Sequence, residues 1–207
     1  MNPSSQDHAP GVAIPDAKDE AALQALLDDI TQGLAEGATF KDLYGVSDEI
    51  MEKIYAQAYE LYQRGRLDEA ERFFRLLCIY DFRNLDYALG LGAVFQLRKK
   101  YDKALDVYAM AYVIGEGDLR PLFYAGQCNM ILRRLGKARR CFETMLQSPG
   151  DTPLHDKARA YLDAIVGAAR NDTDDAGSTR AAGSQRRAEA APAPASVAEP
   201  LGQGIPH

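Results

Sequence analysis

The stretch Gly-Arg-Leu-Asp-Glu-Ala-Glu-Arg-Phe-Phe (65–74) sets a frame that returns twice, as Lys-Lys-Tyr-Asp-Lys-Ala-Leu-Asp-Val-Tyr (99–108) and as Arg-Arg-Leu-Gly-Lys-Ala-Arg-Arg-Cys-Phe (133–142). In each copy an alanine, Ala70, Ala104 or Ala138, is followed four residues later by a ring, Phe74, Tyr108 or Phe142. Three residues before each alanine stands Leu67, Tyr101 or Leu135, and twelve before it another small residue, Ala58, Gly92 or Gly126. The period is 34 residues and runs from about Met51 to about Gly150. Small residues let two antiparallel helices approach closely, and large ones fill the space between successive pairs. The repeat therefore predicts stacked helix hairpins.

This spacing is the signature of the tetratricopeptide repeat. The expected fold is all-α, with three tandem hairpins over 48–150. Ser47 is a good N-cap, and Asp48 and Glu49 put negative charge in the first turn of the next helix. The first helix of repeat one is expected to reach about Arg64, with the second over Leu67 to Tyr80. Repeat two is expected over Leu85–Arg98 and Tyr101–Ile114, where Gly115 and Gly117 break the helix. Repeat three is expected over Arg120–Leu132 and Leu135–Gln147, ended by Ser148-Pro149-Gly150. A helix from Pro153 to about Ala169, within a segment 151–170, is expected to cap the row, because a solenoid's last repeat otherwise exposes its stacking face.

Outside the repeats, 18–47 reads as a helix and a linker. Leu23, Leu26, Leu27, Ile30 and Leu34 form one apolar stripe on a 3.6-residue period, from about Asp19 to Gly37. Either the first repeat of the same chain or a second copy must cover that stripe. Residues 1–17 and 171–207 are Pro-, Ala-, Gly- and Ser-rich with few large apolar side chains, and are expected to be disordered.

The chain has 207 residues, a formal charge of −6 and a pI near 5.1, which disfavours nucleic acid as a general partner. No basic stretch precedes an apolar run at the N-terminus, and no uninterrupted apolar stretch approaches about 18 residues. A soluble cytoplasmic protein away from the membrane is expected. His8, His155 and His207 have no partners in the pattern, and Cys78, Cys128 and Cys141 lack metal-ligand spacing. Leu-Gly-Leu-Gly-Ala (89–93) lies inside a helix, not between a strand and a helix, and Gly136-Lys137 is followed by Ala138 and not by Ser or Thr. The expectation is no enzyme, no cofactor and no metal. Arg133, Arg134, Lys137, Arg139 and Arg140 form a basic cluster, read first as a solvated face.

The informative positions lie on the first helix of each hairpin. Relative to the small residue, positions −6, −3, +1 and +4 face the concave side of such a solenoid. They are Glu52, Tyr55, Tyr59 and Tyr62, then Asp86, Leu89, Ala93 and Gln96, then Arg120, Phe123, Gln127 and Met130. Three tyrosines on one helical face, with Met, Phe and amides elsewhere, are the chemistry of a peptide-binding groove. The candidate groove is Tyr55, Tyr59, Tyr62, Leu89, Ala93, Gln96, Phe123, Gln127 and Met130.

Three stretches go beyond the repeat consensus. Residues 47–62 (Ser-Asp-Glu-Ile-Met-Glu-Lys-Ile-Tyr-Ala-Gln-Ala-Tyr-Glu-Leu-Tyr), 73–81 (Phe-Phe-Arg-Leu-Leu-Cys-Ile-Tyr-Asp) and 87–96 (Tyr-Ala-Leu-Gly-Leu-Gly-Ala-Val-Phe-Gln) resemble the class II type III secretion chaperones of translocator proteins. The linker 37–47 looks like the same family's, and the resemblance covers about Ala21 to Met145. It implies a bacterial cytoplasmic chaperone that holds hydrophobic translocators soluble and secretion-competent. It implies that the groove takes an extended Pro- and Leu-containing segment near the translocator's N-terminus, with groove tyrosines at Tyr55 and Tyr62 and the intervening aromatic at Tyr59. It implies homodimerisation through Leu23, Leu26, Leu27, Ile30 and Leu34, and in some members action with a transcription activator. Two other readings remain open at this point: a generic repeat scaffold, and a co-regulator of secretion gene expression.

Overall fold

In the computed structural model, the structure describes the backbone of residues 20–178 and the side chains of residues 20–167. The expected tail 1–17, and residues 179–207 of the expected tail 171–207, lie outside the described residues. Nine helices and no strand occur among the described residues: α1 (Glu20–Ala35), α2 (Phe40–Leu43), α3 (Asp48–Gln63), α4 (Leu67–Tyr80), α5 (Leu85–Leu97), α6 (Tyr101–Ile114), α7 (Arg120–Ile131), α8 (Leu135–Gln147) and α9 (Pro153–Ser178). The chain divides into two units within α5, between Ala88 and Leu89.

In the first unit α3 and α4 form the hairpin. Ser47 caps α3, its Oγ accepting the Ile50 N–H at 3.4 Å. Ala58, Leu61, Ala70, Phe74 and Leu77 are buried between the two helices, so the small–bulky frame read from the sequence is the packing frame. The linker ahead of α3 contains α2, a helix that the sequence reading passed over as connector. Its signal is Thr39-x-x-Asp42: the Asp42 carboxylate accepts both the N–H and the hydroxyl of Thr39 at 2.7 Å. These bonds hold the Asp42 carboxyl below its usual range. The Arg83 guanidinium donates to the Gly37 carbonyl at 2.7 Å and ties the linker to the far end of α4.

α1 presents its stripe incompletely covered. None of its residues is buried, and Leu27 is 48% exposed. Leu23, Leu26, Ile30 and Leu34 are half-buried.

In the second unit α6, α7, α8 and α9 pack in chain order. The core holds Phe123, Ala138, Phe142, Met145, Ala158 and Ile165. Here the small positions are glycines for a steric reason. A Cβ on Gly92 would sit 2.3 Å from the Tyr108 ring, and one on Gly126 2.6 Å from the Phe142 ring, both rings being fully buried. α5 lacks a polar face: Tyr87 through Gln96 are all buried.

The ends of α3 through α8 fall within a residue of expectation, while α1 ends at Ala35, two residues before the expected Gly37. α9 departs from expectation, continuing to Ser178 and not ending near residue 170. Residues 171–178, the start of the tail expected over 171–207, continue the backbone of α9. The second unit also houses two of the three thiols: burial pushes Cys128 up to about 12 and raises Cys141, and in the first unit it pushes Cys78 up to about 12. Protonated and shielded, they act as small hydrophobes.

Candidate functional site: the inner faces of the first helix in each hairpin

In the first unit α3 carries the three tyrosines on one face, since 55, 59 and 62 are spaced by one and two helical turns. Tyr55 meets Phe74 edge-on, with ring centroids 6.0 Å apart, and tilts against Tyr87 at 5.6 Å. Tyr59 stacks on Tyr62 at 6.3 Å with 16° between planes. Tyr55 and Tyr59 are half-buried, whereas Tyr62 is 6% exposed. The face is thus a row of rings held in place by other rings, with little rotamer freedom left to lose on binding. A different face of α3 borders an open apolar cleft of about 230 Å³, lined by Val46, Ile50, Met51, Ile54, Leu76 and Tyr80.

In the second unit the inner frame positions lie on α5 and α7, and burial differs from expectation. Leu89 and Ala93 are fully buried. Gln96 is 5% exposed, and its Oε1 accepts the Tyr108 hydroxyl at 2.6 Å, so this amide serves the hairpin itself. Phe123, 5% exposed, is boxed by Tyr124, Phe142 and Tyr161 with centroids 5.6, 6.1 and 5.8 Å away. The Gln127 amide donates to the Tyr161 hydroxyl at 3.0 Å, and Met130 is half-buried against the same core. The residues expected to be open that structure encloses are therefore Tyr62, Leu89, Ala93, Gln96 and Phe123. The physical reason is that a solenoid's inner positions are also stacking positions wherever the next element passes close.

Tyr161 of α9 is not among the candidate groove residues. It lies 34 residues after Gln127, which itself lies 34 after Ala93 and 68 after Tyr59. Carrying the repeat frame one step further would have found it: α9 takes the place of the first helix of a fourth hairpin. Its ring stacks on Phe142 at 5.1 Å with 7° between planes.

No helix among the described residues is long and apolar enough to cross a membrane. The tetratricopeptide repeat family model matches residues 51–84 and 85–118. The chain is 50% identical over 136 residues to the chaperone protein SicA of Salmonella typhimurium, a match covering 66% of this chain and 82% of SicA. The solved type III secretion translocator chaperone SycD of Yersinia enterocolitica superposes with a TM-score of 0.59 at 27% identity, covering 62% of this chain and 98% of that one. PcrH in complex with the chaperone binding region of PopD superposes with a TM-score of 0.55 at 31% identity, covering 59% of this chain and 96% of PcrH. The repeat frame and the extent of the match to SicA agree: the chain belongs to the family of type III secretion translocator chaperones.

Proposed function

We propose that this chaperone binds the hydrophobic translocators of its own secretion system in the bacterial cytoplasm and keeps them soluble until secretion, without catalysing a reaction. The observation that carries the reading is the relationship to SicA together with PcrH, which has been solved with the chaperone binding regions of PopD and of PopB. By extension, an extended cargo segment lays apolar anchors against the tyrosine face of α3, where Tyr55 and Tyr59 offer rings and hydroxyls together. In the second unit, Gln127 and Met130 of α7 are proposed as separate further contacts, with Leu89, Ala93, Gln96 and Phe123 buried on α5 and α7. Covering such a segment removes the surface through which a translocator self-associates or enters a bilayer. The α1 stripe of Leu23, Leu26, Leu27, Ile30 and Leu34, incompletely covered in the chain, is the proposed homodimer contact.

Co-expression with a translocator encoded nearby, followed by size-exclusion chromatography with light scattering, tests the reading. A soluble complex of defined stoichiometry is expected. Tyr59→Ala is the cleanest probe, because Tyr62→Ala also opens a buried site and Tyr55→Ala also strips a ring from Phe74. A loss of about 1–4 kcal/mol in cargo affinity is expected for Tyr59→Ala, with a smaller fall in the unfolding midpoint than Tyr62→Ala causes. Unchanged affinity in Tyr59→Ala and Tyr55→Ala alike would remove the groove assignment. A translocator that stays insoluble in the presence of the wild-type chain would remove the cargo assignment.

A further inference from the structure

The turns inside the three hairpins share one geometry. Gly65, Lys99 and Arg133, 34 residues apart, all adopt left-handed backbone with φ of 73°, 57° and 56°. In each, the next N–H reaches back across the turn: Arg66 to the Leu61 carbonyl at 2.9 Å, Lys100 to Phe95 at 2.8 Å, and Arg134 to Asn129 at 2.8 Å. This closure favours glycine, which has no Cβ to crowd the backbone. The first hairpin uses glycine, while the second and third place a lysine and an arginine there, in a conformation their side chains disfavour.

A second rule is broken at the α7–α8 turn, whereas α6 keeps Asp102 in its first turn. The first turn of α4 carries Asp68 and Glu69, which suit the positive end of a helix. The first turn of α8 carries no acidic residue, and Lys137 stands where the first hairpin has Glu69. Residues 64–69 hold two basic and two acidic side chains, residues 98–103 four and one, and residues 132–137 three and none. The two basic turns belong to one unit, and Arg134 reaches Asp102 at 2.6 Å, so the one acid between them is already engaged. Lys99, Lys103, Arg133 and Lys137 are exposed. Local preferences given up together at one edge of a domain point to a use for the charge beyond folding.

We propose that this edge of the second unit, the α5–α6 and α7–α8 turns, docks a carboxylate-rich segment of a partner protein. Charge complementarity selects the occupant. Residues 20–88 carry fourteen acidic and seven basic side chains, while residues 89–167 carry eight acidic and twelve basic. A long polyanion meets repulsion from the rest of a chain of net charge −6, whereas a short acidic segment meets only the basic edge. None of these residues belongs to the tyrosine face or to the α7 contacts proposed for cargo, so the two readings stand or fall separately.

The test is fluorescence anisotropy of the full chain with a labelled 12-residue Glu-rich peptide, run beside a single-stranded DNA 12-mer. The wild type is expected to bind the peptide more tightly than the DNA, and more weakly as salt rises. The double variant Lys99→Gly/Arg133→Gly is expected to weaken peptide binding at least about fivefold while its urea midpoint holds or rises, because glycine suits the turn. A control variant, Lys53→Gln/Arg72→Gln, removes two exposed positive charges from the first unit and is expected to leave binding within about twofold, the range set by screened surface charge. Equal loss in the control, unchanged binding in the double variant, or tighter binding of the DNA would each overturn the proposal.

Discussion

The hairpin α3–α4 and the hairpin α7–α8 are built on one frame and present opposite surfaces. Both bury a small residue against a ring sixteen residues later: Ala58 with Phe74, Gly126 with Phe142. Both place an aromatic at the same inner position, Tyr55 or Phe123. In the first hairpin that ring and Tyr59 remain half-exposed. In the third, Phe123 is enclosed and Gln127 is hydrogen-bonded, because Tyr161 of α9 lies over both. The frame fixes which residues face inward, and the neighbouring element fixes whether inward means open or core.

The strongest way to break this comparison is to remove the cover. Tyr161→Ala deletes a ring that touches Phe123 and Phe142 and accepts from Gln127. A destabilisation of about 2–4 kcal/mol is expected in urea unfolding, somewhat below the figure for a fully buried ring. A loss under about 0.5 kcal/mol, the usual scatter of surface substitutions, would mean that α9 does not cap the third hairpin.

The next test is at the small position. Gly126→Ala drives a Cβ to within 2.6 Å of the buried Phe142 ring and is expected to destabilise by about 1–3 kcal/mol despite alanine's better helix propensity. Ala58→Gly in the first hairpin, where alanine already fits, is expected to lose only about 0.5–1 kcal/mol. If Gly126→Ala instead stabilises, the close approach of α7 and α8 is wrong.

The smallest effect sharpens the contrast at the entrance to the first unit. Asp42 is held below its usual range by the Thr39 N–H and hydroxyl. A depressed carboxyl contributes stability above its unfolded value, near pH 4, and loses it as pH falls through the lower folded value. Asp42→Asn should therefore flatten the stability–pH profile below about pH 4. An unchanged slope there, measured by urea midpoints, would show that the Thr39–Asp42 cap does not persist in solution.

Much of this was legible without coordinates. The 34-residue period gave the hairpins, the ends of α3 through α8 and the buried rings, because each depends on residues a few turns apart in one chain segment. The tyrosine face of α3 was legible for the same reason. The Thr39–Asp42 cap was present as a pattern but too short to outweigh its linker surroundings, and α9 could be assigned its inner tyrosine by extending the frame once more.

What the linear pattern could not decide was exposure and backbone hand. Leu89 and Phe123 have the same frame position as Tyr55, and nothing local separates a groove residue from a core residue there. Burial is set by elements that arrive from elsewhere in the chain, as Tyr161 shows. Lys99 and Arg133 have ordinary propensities, and only the closed turn forces them to positive φ. By itself the sequence determined the repeat, the helices and the chaperone family, since these rest on periodicity and on side-chain identity. Only the tertiary structure decided which inner faces stay open and where charge sits in strained turns, because packing, not propensity, sets both.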